Sequence, residues 1–380
     1  MNRPMDHPVA DAAVRVVVVD DSLLMRELLQ SALTEAGDIA VVGTAANPHV
    51  AREVIRATDP DVVTLDVEMP SMGGLEFLRR IMKLRPMPVV MVAGSTTSGA
   101  ETTLIALEIG AVDFVAKPSG RAGWEDFAAT VRNKVREAAN VRFDRPAPPA
   151  TVLARAPAAP VPAIPAAAAG RRPIARRGTA VAHYDLIAIG ASTGGVTAIN
   201  RLLASLPSTA PPLVIAQHMP PGFTARFAER LAQTTGFDVA EAADREVLHR
   251  GMIRMAPGDR HLRVARHGGR LICRLGDDPP IGSHRPSVDV LFTSVATALG
   301  KRAIGVILTG MGSDGAKGLS MMRAAGAHTL GEAESSCTIY GMPKAAMRLG
   351  AVAEELEIGG LAAHLRGRLE SARAAPGATR

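Results

Sequence analysis

Hydrophobic runs of strand length alternate with amphipathic segments in the first third of the chain. Between the runs, apolar positions recur with the helical period of about 3.6 residues, as in SLLMRELLQSALTEAG and AETTLIALEIG. This alternation predicts a parallel sheet with helices on both faces. The five predicted strands are VRVVVV, IAVVGTA, DVVTL, PVVMV and AVDFV.

The alternation of apolar strand-length runs and amphipathic segments resumes after residue 180. The runs YDLIAIG, PLVIAQH, RAIGVILTG and AHTLG alternate with helical patterns such as GFTARFAERLAQT. Between them, GMIRMAPGDRHLRVARHGGRLICRL combines short strand patterns with Gly and Asp turns, which indicates a β-hairpin insertion. The sequence therefore predicts an α/β protein with two doubly wound parallel-sheet domains, one flavodoxin-like and one Rossmann-like with the hairpin.

The periodic pattern disappears between these two parts. Pro, Ala and Arg dominate this segment, and proline removes backbone donors and interrupts helices. We therefore expect a first domain at 14–137, a flexible linker at 138–180 and a second domain at 181–376. Seven arginines and one aspartate within 141–180 account for the whole net charge of +6. This basic run is interpreted as solvated.

The composition argues against nucleic-acid binding, membrane insertion and a cysteine-based site. Aromatic residues make up only 3% of the chain, too few rings for a protein that stacks on single-stranded bases, so we expect no nucleic-acid partner. No apolar run reaches the ~18 residues of a membrane span, and no signal peptide is apparent, so we expect a cytoplasmic protein without direct membrane insertion. The sequence leaves the oligomeric state open, and a monomer is the default expectation. The distant cysteines Cys273 and Cys337 show neither metal nor disulfide spacing and are expected to be small buried residues.

Acidic residues end two predicted strands of the first domain. Asp20 and Asp21 follow the first strand, Asp66 follows the third, and Lys117 follows the fifth. Carboxyl ends of parallel strands meet at one sheet edge, so these side chains are expected to converge. Converging carboxylates favour Mg²⁺, with Asp66 placed to accept a phosphoryl group and Lys117 to neutralise it. The alternative is an ordinary helix cap, which Ser22 or Asp21 could be.

A serine between glycines follows the first strand of the second domain. The stretch GASTG fits the G-x-S-x-G strand-to-helix elbow, with Ser192 as nucleophile. Such a serine needs a base and an orienting acid, and His218 and Asp314 follow other strands of the same predicted sheet. The backbone N–H groups of Thr193 and Met311 are candidates for an oxyanion hole. Four other histidines are expected in polar turns: His249, His261, His267 and His284.

The segment around Asp314 also fits a second interpretation. GMGSDG, Gly310 to Gly315, matches G-x-G-x-x-G, and Glu332 and Glu334 follow at about the spacing of a ribose ligand. However, the aspartate brings negative charge to the place where a pyrophosphate binds. A dinucleotide-dependent oxidoreductase remains one alternative. A phosphorylation-dependent binding module built on an inactive hydrolase is another.

The first domain resembles the receiver domains of two-component response regulators in VVVVDDS, LDVEMPSMGGLEFL and VDFVAKP. The resemblance implies that Asp66 takes phosphate from a histidine kinase, with Asp20 and Asp21 helping to hold Mg²⁺.

One position departs from the receiver pattern. Receivers usually carry a Ser or Thr hydroxyl after the fourth strand, and Ala93 occupies that position here. Ser95 or Thr96 could substitute for it.

The second domain resembles the chemotaxis methylesterases of the CheB family in IGASTGG, QHMPPGFTARFAERL, APGDRHL, RPSVDVLF, GVILTGMGSDGAKGL and GMPKAA. The resemblance implies that Ser192 is the nucleophile, His218 the general acid and base, and Asp314 the orienting carboxylate. It also implies hydrolysis of glutamyl methyl esters on chemoreceptors, deamidation of receptor glutamines, a chemotaxis histidine kinase as phosphodonor, and no cofactor in the catalytic domain. The receiver is expected to cover the catalytic edge until Asp66 is phosphorylated.

Overall fold

A computed structural model of the chain describes residues 13–69, 73–94, 97–118, 120, 123–141, 143 and 184–374. Apart from 138–141 and 143, the predicted linker lies outside these residues. In the part of the chain that the structure describes, no helix is long and apolar enough to cross a bilayer.

The amino-terminal domain alternates strands with helices, as the apolar pattern predicts. The elements are β1 Val14–Val19, α1 Leu23–Thr34, β2 Ile39–Ala45, α2 Pro48–Thr58, β3 Val62–Asp66, α3 Gly74–Leu84, β4 Val89–Ala93, α4 Thr97–Ile109, β5 Asp113–Ala116 and α5 Trp124–Ala139. The strands pair in parallel in the order β2-β1-β3-β4-β5. Strands β3 and β4 are buried along their whole length, which explains their continuous apolar runs.

Local side-chain caps mark where the first helices begin. Ser22 Oγ accepts a hydrogen bond from the Met25 backbone N–H at the start of α1. Asn47 Oδ1 accepts from the His49 and Val50 backbone N–H groups, and Pro48 occupies the first helical position of α2. Both caps satisfy backbone donors that have no partner inside the helix.

The carboxyl-terminal domain contains a larger parallel sheet. Its elements are β6 Leu186–Ala191, α6 Gly195–Leu203, β7 Leu213–Gln217, α7 Phe223–Thr234, β8 Asp238–Glu241, β9 Met252–Met255, β10 His261–His267, β11 Arg270–Gly276, α8 Val288–Leu299, β12 Ala303–Ile307, α9 Ala316–Ala324, β13 His328–Glu332, α10 Met342–Arg348, β14 Glu354–Leu356 and α11 Ile358–Ala374. The sheet order is β14-β13-β12-β6-β7-β9-β8, with every pair parallel. The α/β class and the two parallel sheets are confirmed.

The hairpin insertion is present but shorter than the predicted segment. Strands β10 and β11 pair antiparallel, with Val264 opposite Cys273. The run Met252–Met255 instead joins the main sheet as β9, where Ile253 pairs with Leu213 on one side and with β8 on the other. Ile253 is fully buried between these neighbours, so its burial in the main sheet outweighs the local turn signals.

The two domains pack directly against each other. Helix α4 contacts α6 and α7. The Phe114 ring, on β5, stacks on the Phe223 ring at the start of α7, with centroids 4.4 Å apart. On the same side, Arg230 Nε donates to Glu108 Oε1 at 2.7 Å. The amino-terminal domain therefore meets the other domain through α4, β5 and the end of α5.

Candidate active site

Ser192 and His218 follow two neighbouring strands of the large sheet. Ala191 at the end of β6 pairs with Gln217 at the end of β7, so the next residues lie side by side. The His218 backbone N–H also donates to Ala191 O at 3.2 Å. This placement brings both side chains to the carboxyl edge of the sheet, where parallel α/β folds gather their chemistry.

A rigid turn holds Ser192. Its backbone N–H donates to Thr309 O at 3.0 Å, and its carbonyl accepts hydrogen bonds from Gly195 N at 2.7 Å and Gln217 Nε2 at 2.9 Å. Gly194 has φ +80°, and a Cβ there would lie 2.3 Å from Thr338 Oγ1. The turn therefore requires glycine at this position both for its backbone angle and for space.

His218 and Asp314 form a direct pair. His218 Nε2 lies 2.8 Å from Asp314 Oδ2, and both side chains are largely buried. The other ring nitrogen, Nδ1, is buried and has no hydrogen-bond partner among the described residues. An ionised carboxylate only accepts, so Nε2 carries the proton and Nδ1 presents its lone pair.

The amino terminus of α8 holds the Asp314 carboxylate. Oδ2 accepts from Val288 N at 2.7 Å, and Oδ1 accepts from Asp289 N at 3.0 Å and from Ser287 Oγ at 2.8 Å. Burial opposes ionisation, but the bond from His218 and these backbone N–H groups outweigh it and lower the Asp314 pKa to about 2. Ser287, which also caps α8, has no signal in the sequence beyond an ordinary N-cap pattern.

A second histidine ring lies on His218. The ring of His284 stacks on it with centroids 3.9 Å apart and an interplanar angle of 7°. Burial and the neighbouring His218 lower the His284 pKa to about 4, so the His284 ring is neutral at pH 7. His284 lies in a turn, as expected, and is half-buried there. The expectation of a polar turn is wrong for His261, which is fully buried, begins β10 and accepts a hydrogen bond from the Ser287 backbone N–H on Nδ1.

Two backbone donors lie near Ser192. Among the described residues, neither the Thr193 N–H nor the Met311 N–H donates a hydrogen bond. Both residues lie in turns, the first directly after Ser192 and the second between β12 and Asp314. Free N–H groups of this kind are suitable donors for a developing oxyanion.

The amino-terminal domain contacts the Thr193 side chain. Thr193 Oγ1 lies 2.5 Å from Asp113 Oδ2 and 2.6 Å from Glu137 Oε2, and it accepts from Lys134 Nζ at 3.1 Å. Burial lowers the Lys134 pKa, but the charges of Asp113 and Glu137 outweigh it, so the pKa is raised and the buried amine stays charged. Sequence reasoning missed this cluster because its members come from both domains.

The contact leaves almost no space above Ser192. One cavity between the domains is lined by Asp113 and Phe114 on one side and by Ser192 and His218 on the other, and its volume is about 10 Å³. Such a volume holds about one water molecule. A side chain with an ester group therefore does not fit into this cavity.

The geometry does not support the dinucleotide interpretation. Glu332 is buried, and its carboxylate accepts from Thr309 N at 2.9 Å and Ser336 Oγ at 3.0 Å. It is therefore not free to bind a ribose. Asp314, inside the glycine-rich segment, is held by His218 and α8.

The acids of the amino-terminal domain converge as predicted. Val19 pairs with Leu65, so Asp20 and Asp66 end neighbouring strands. Lys117 Nζ lies 3.0 Å from Asp20 Oδ2 and 2.9 Å from Asp66 Oδ2. Carboxylate oxygens of three residues lie within 4.8 Å of one another: Asp20, Asp21 and Asp66. Burial raises the pKa of Asp66, and Lys117 opposes that shift.

Ala93 ends β4 and is fully buried beside this cluster. Its carbonyl accepts from the Lys117 backbone N–H at 2.7 Å. Ser95 and Thr96 lie outside the described residues. Of the two cysteines, Cys273 is buried, as expected, and burial raises its pKa to about 12, while Cys337 is only half-buried.

Comparison with known proteins finds a matching family for each of the two domains. Residues 187–365 match the CheB methylesterase family model, and residues 16–125 match the response regulator receiver domain model. The chain is 50% identical over 348 residues to protein-glutamate methylesterase/protein-glutamine glutaminase 1 of Caulobacter vibrioides, covering 91% of this chain and 95% of that protein. The chain belongs to the CheB methylesterase family.

A second relative matches along most of the chain, and a solved structure matches the carboxyl-terminal domain. Protein-glutamate methylesterase/protein-glutamine glutaminase 2 of Burkholderia thailandensis is 49% identical over 357 residues, covering 93% of this chain and 98% of that protein. The crystal structure of the Thermotoga maritima CheB methylesterase catalytic domain is 34% identical, covers 48% of this chain and 98% of that chain, and has a TM-score of 0.48.

Proposed function

We propose that this protein hydrolyses methyl esters of glutamate side chains on methyl-accepting chemoreceptors and deamidates receptor glutamines, under control of its receiver domain. The relatives carry the corresponding name, protein-glutamate methylesterase/protein-glutamine glutaminase. The observation that carries the proposal is the His218–Asp314 pair beside Ser192 at the ends of β6 and β7. A hydroxyl, a base and an orienting acid at one sheet edge are the groups that a serine hydrolase requires.

The free nitrogen of His218 is the proposed base. Because Nε2 donates to Asp314, Nδ1 has the lone pair that takes the Ser192 proton as Oγ attacks the ester carbonyl. The resulting imidazolium is stabilised by the Asp314 carboxylate, whose lowered pKa keeps it ionised. Asp314 itself stays unprotonated throughout.

The tetrahedral intermediate then collapses. His218 Nδ1 returns the proton to the leaving methoxide, methanol departs, and a glutamyl ester on Ser192 remains. Water attacks that ester with Nδ1 again taking the proton, which returns the serine hydroxyl and releases a glutamate carboxylate. A glutamine substrate follows the same steps with ammonia as the leaving group.

The oxyanion of both intermediates requires donors that are already oriented. The backbone N–H groups of Thr193 and Met311 are proposed for this role because neither donates a hydrogen bond elsewhere among the described residues. Loss of one such donor typically costs about 10²- to 10³-fold in kcat.

The receiver domain is proposed to be phosphorylated on Asp66 by a chemotaxis histidine kinase. The convergent oxygens of Asp20, Asp21 and Asp66 fit a hard divalent cation, and these residues would hold Mg²⁺. When bound, Mg²⁺ offsets the negative charge of the phosphoryl group. Lys117, already within 3.0 Å of Asp20 and Asp66, contributes a second positive charge to the same site.

Phosphorylation is proposed to favour a domain arrangement that opens the cavity above Ser192. The phosphoryl group can shift the equilibrium only if it is bound better in one arrangement than in the other. In the closed arrangement, Phe114 stacks on Phe223 and Glu137 contacts Thr193, so release of these contacts exposes Ser192.

Methanol release from a methyl-esterified receptor fragment tests the proposal. Wild-type protein is expected to release methanol, and to release more with Mg²⁺ and a small phosphodonor, whereas Ser192→Ala is expected to release none. Ser208→Ala, at an exposed serine, serves as the matched control and should behave as wild type. Methanol release by Ser192→Ala at the wild-type rate would rule out the serine mechanism.

A further inference from the structure

Two histidines and a glutamate meet at the edge of the large sheet. His328 begins β13, Glu354 begins the edge strand β14, and His364 lies on α11, which packs against both strands. We propose that these three side chains form a binding site for a first-row divalent metal ion of the Zn²⁺ class. Imidazole nitrogens together with one carboxylate are a common ligand set for such ions.

The distances between the ligand atoms fit one metal ion. The Nε2 atoms of His328 and His364 are 3.1 Å apart, and Glu354 Oε1 is 3.6 Å from His328 Nε2. Metal–ligand bonds of about 2.0–2.1 Å in tetrahedral geometry place ligand atoms about 3.3 Å apart. These two separations bracket that value, and all three ligand atoms lie within 4.8 Å of one another, so side-chain rotations bring them to one ion.

The exposure of the side chains also suits a metal ion. His328 and His364 are mostly buried, whereas Glu354 is 39% exposed. Solvent can therefore reach the cluster and supply the remaining ligand as water.

A cation already occupies this cluster. Arg368 Nε donates to His364 Nε2 at 2.7 Å, and Arg368 Nη2 lies 3.2 Å from Glu354 Oε1. The guanidinium thus uses the same nitrogen and the same oxygen that a metal ion needs. Arg368 is 38% exposed on α11, so its long side chain can leave the cluster when a metal ion enters. The structure therefore makes Arg368 a competitor of the metal.

The proposed site is separate from the active site. His328 lies at the amino end of β13, whereas Ser192 and His218 follow the carboxyl ends of β6 and β7 in the same parallel sheet. A bound metal would join β13, β14 and α11 without contacting the catalytic residues. We therefore expect metal binding to raise the thermal stability of the domain and to leave the esterase residues in place.

Calorimetric titration of Zn²⁺ into the full chain tests the site, with chelator-treated protein and excess Mg²⁺ present to occupy the receiver carboxylates. Wild-type protein should bind one equivalent that is lost, or weakened by at least about 10-fold, in both His328→Gln and His364→Gln. His267→Gln, at an exposed histidine on β10, is the matched control and should retain it. Zn²⁺ should raise the Tm of wild type but not of the two site variants.

A fourth variant shows whether the loss of Zn²⁺ binding in the histidine variants reflects the loss of metal ligands or a damaged fold. Arg368→Gln removes the competing cation and should bind Zn²⁺ more tightly than wild type, with a larger rise in Tm. Identical titrations of wild type, His328→Gln and His364→Gln would overturn the proposal. An affinity of Arg368→Gln equal to or below that of wild type would contradict the placement of the ion among these side chains.

Discussion

The Thr193 hydroxyl, one residue after Ser192, lies 2.6 Å from the Glu137 carboxylate of the receiver domain. Burial is the largest influence on Glu137 and raises its pKa, which the positive charge of Lys134 opposes. A side chain beside the reacting serine is thus part of the contact that closes the active site. The proposed nucleophile and the residue that contacts the receiver domain are therefore adjacent in one turn.

Thr193→Val removes this contact while keeping the side-chain shape and the backbone N–H. The receiver acids then lose a buried hydrogen-bond partner, which costs about 1–3 kcal/mol in the closed arrangement. We expect the closed-to-open ratio to fall by about 5- to 150-fold, so that methanol release without phosphodonor rises. The measurement is methanol release with and without phosphodonor.

The ratio of the two rates separates a regulatory effect from a chemical one. A damaged oxyanion hole would lower the rates with and without phosphodonor by the same factor. A weakened closed arrangement instead raises the rate without phosphodonor toward the rate with it. Thr235→Val, which loses a hydroxyl bonded only to Leu231 O within the described contacts, is the control and should keep the wild-type ratio. An unchanged ratio in Thr193→Val would contradict the prediction.

Asp314→Asn tests the orienting acid. The amide cannot replace the carboxylate that orients His218, and we expect kcat to fall on the order of 10³- to 10⁴-fold in the phosphorylated protein, as the loss of such an acid does in other serine hydrolases. Steady-state methanol release measures kcat. A loss below about 10-fold would show that Asp314 does not orient the base.

The same substitution has a pH-dependent effect on stability. The folded protein lowers the Asp314 pKa from 3.8 to about 2, which corresponds to about 2 kcal/mol of stability at neutral pH. This contribution is complete above the unfolded pKa and is lost as the pH falls through the folded pKa. The difference in the free energy of unfolding between wild type and Asp314→Asn should therefore shrink between pH 4 and pH 2. Denaturant titrations across this range measure it, and a constant difference would refute the assignment.

His284 is expected to act as a positioning residue for His218. Aromatic stacking contributes about 0.5–1.5 kcal/mol, so His284→Ala should lower kcat by about 2- to 10-fold, with KM little changed. His284→Phe keeps a flat ring and should restore kcat. Since the His284 pKa is about 4, its own titration lies outside the range from pH 5 to pH 8, and the shape of the pH–rate profile should not change there. Equal kcat values for the Ala and Phe variants would exclude a role for the stack.

Asp66→Asn tests the receiver domain separately from the catalytic site. The variant should release methanol at the unphosphorylated wild-type rate and show no response to phosphodonor, because the acceptor carboxylate is gone. Removal of Mg²⁺ with a chelator should abolish the response of wild type in the same way. Asp126→Asn, at an exposed acid on α5, is the control and should respond as wild type. A response that persists in Asp66→Asn would place the acceptor elsewhere.

Much of the fold follows from local patterns in the sequence. Parallel strands buried on both faces need continuous apolar runs, and those runs predict β1 to β5, β6, β7, β12 and β13. Edge strands β8 and β14 have only four and three residues and contain acids, so no apolar run marks them. The local turn signals favour placing β9 in the hairpin. Its true position is not visible in the sequence, because its burial depends on pairing with the separate strands β7 and β8.

The sequence by itself determined that Ser192, His218, Asp20 and Asp66 follow strands, and the carboxyl ends of parallel strands lie at one edge whatever else the fold does. Only the tertiary structure decided which nitrogen of His218 contacts Asp314, that His284 stacks on the same ring, and that Lys134 and Glu137 reach Thr193. The reason is physical. Strand ends are set by local hydrophobic periodicity, whereas these contacts join residues 56 to 96 positions apart and depend on how helices and domains pack.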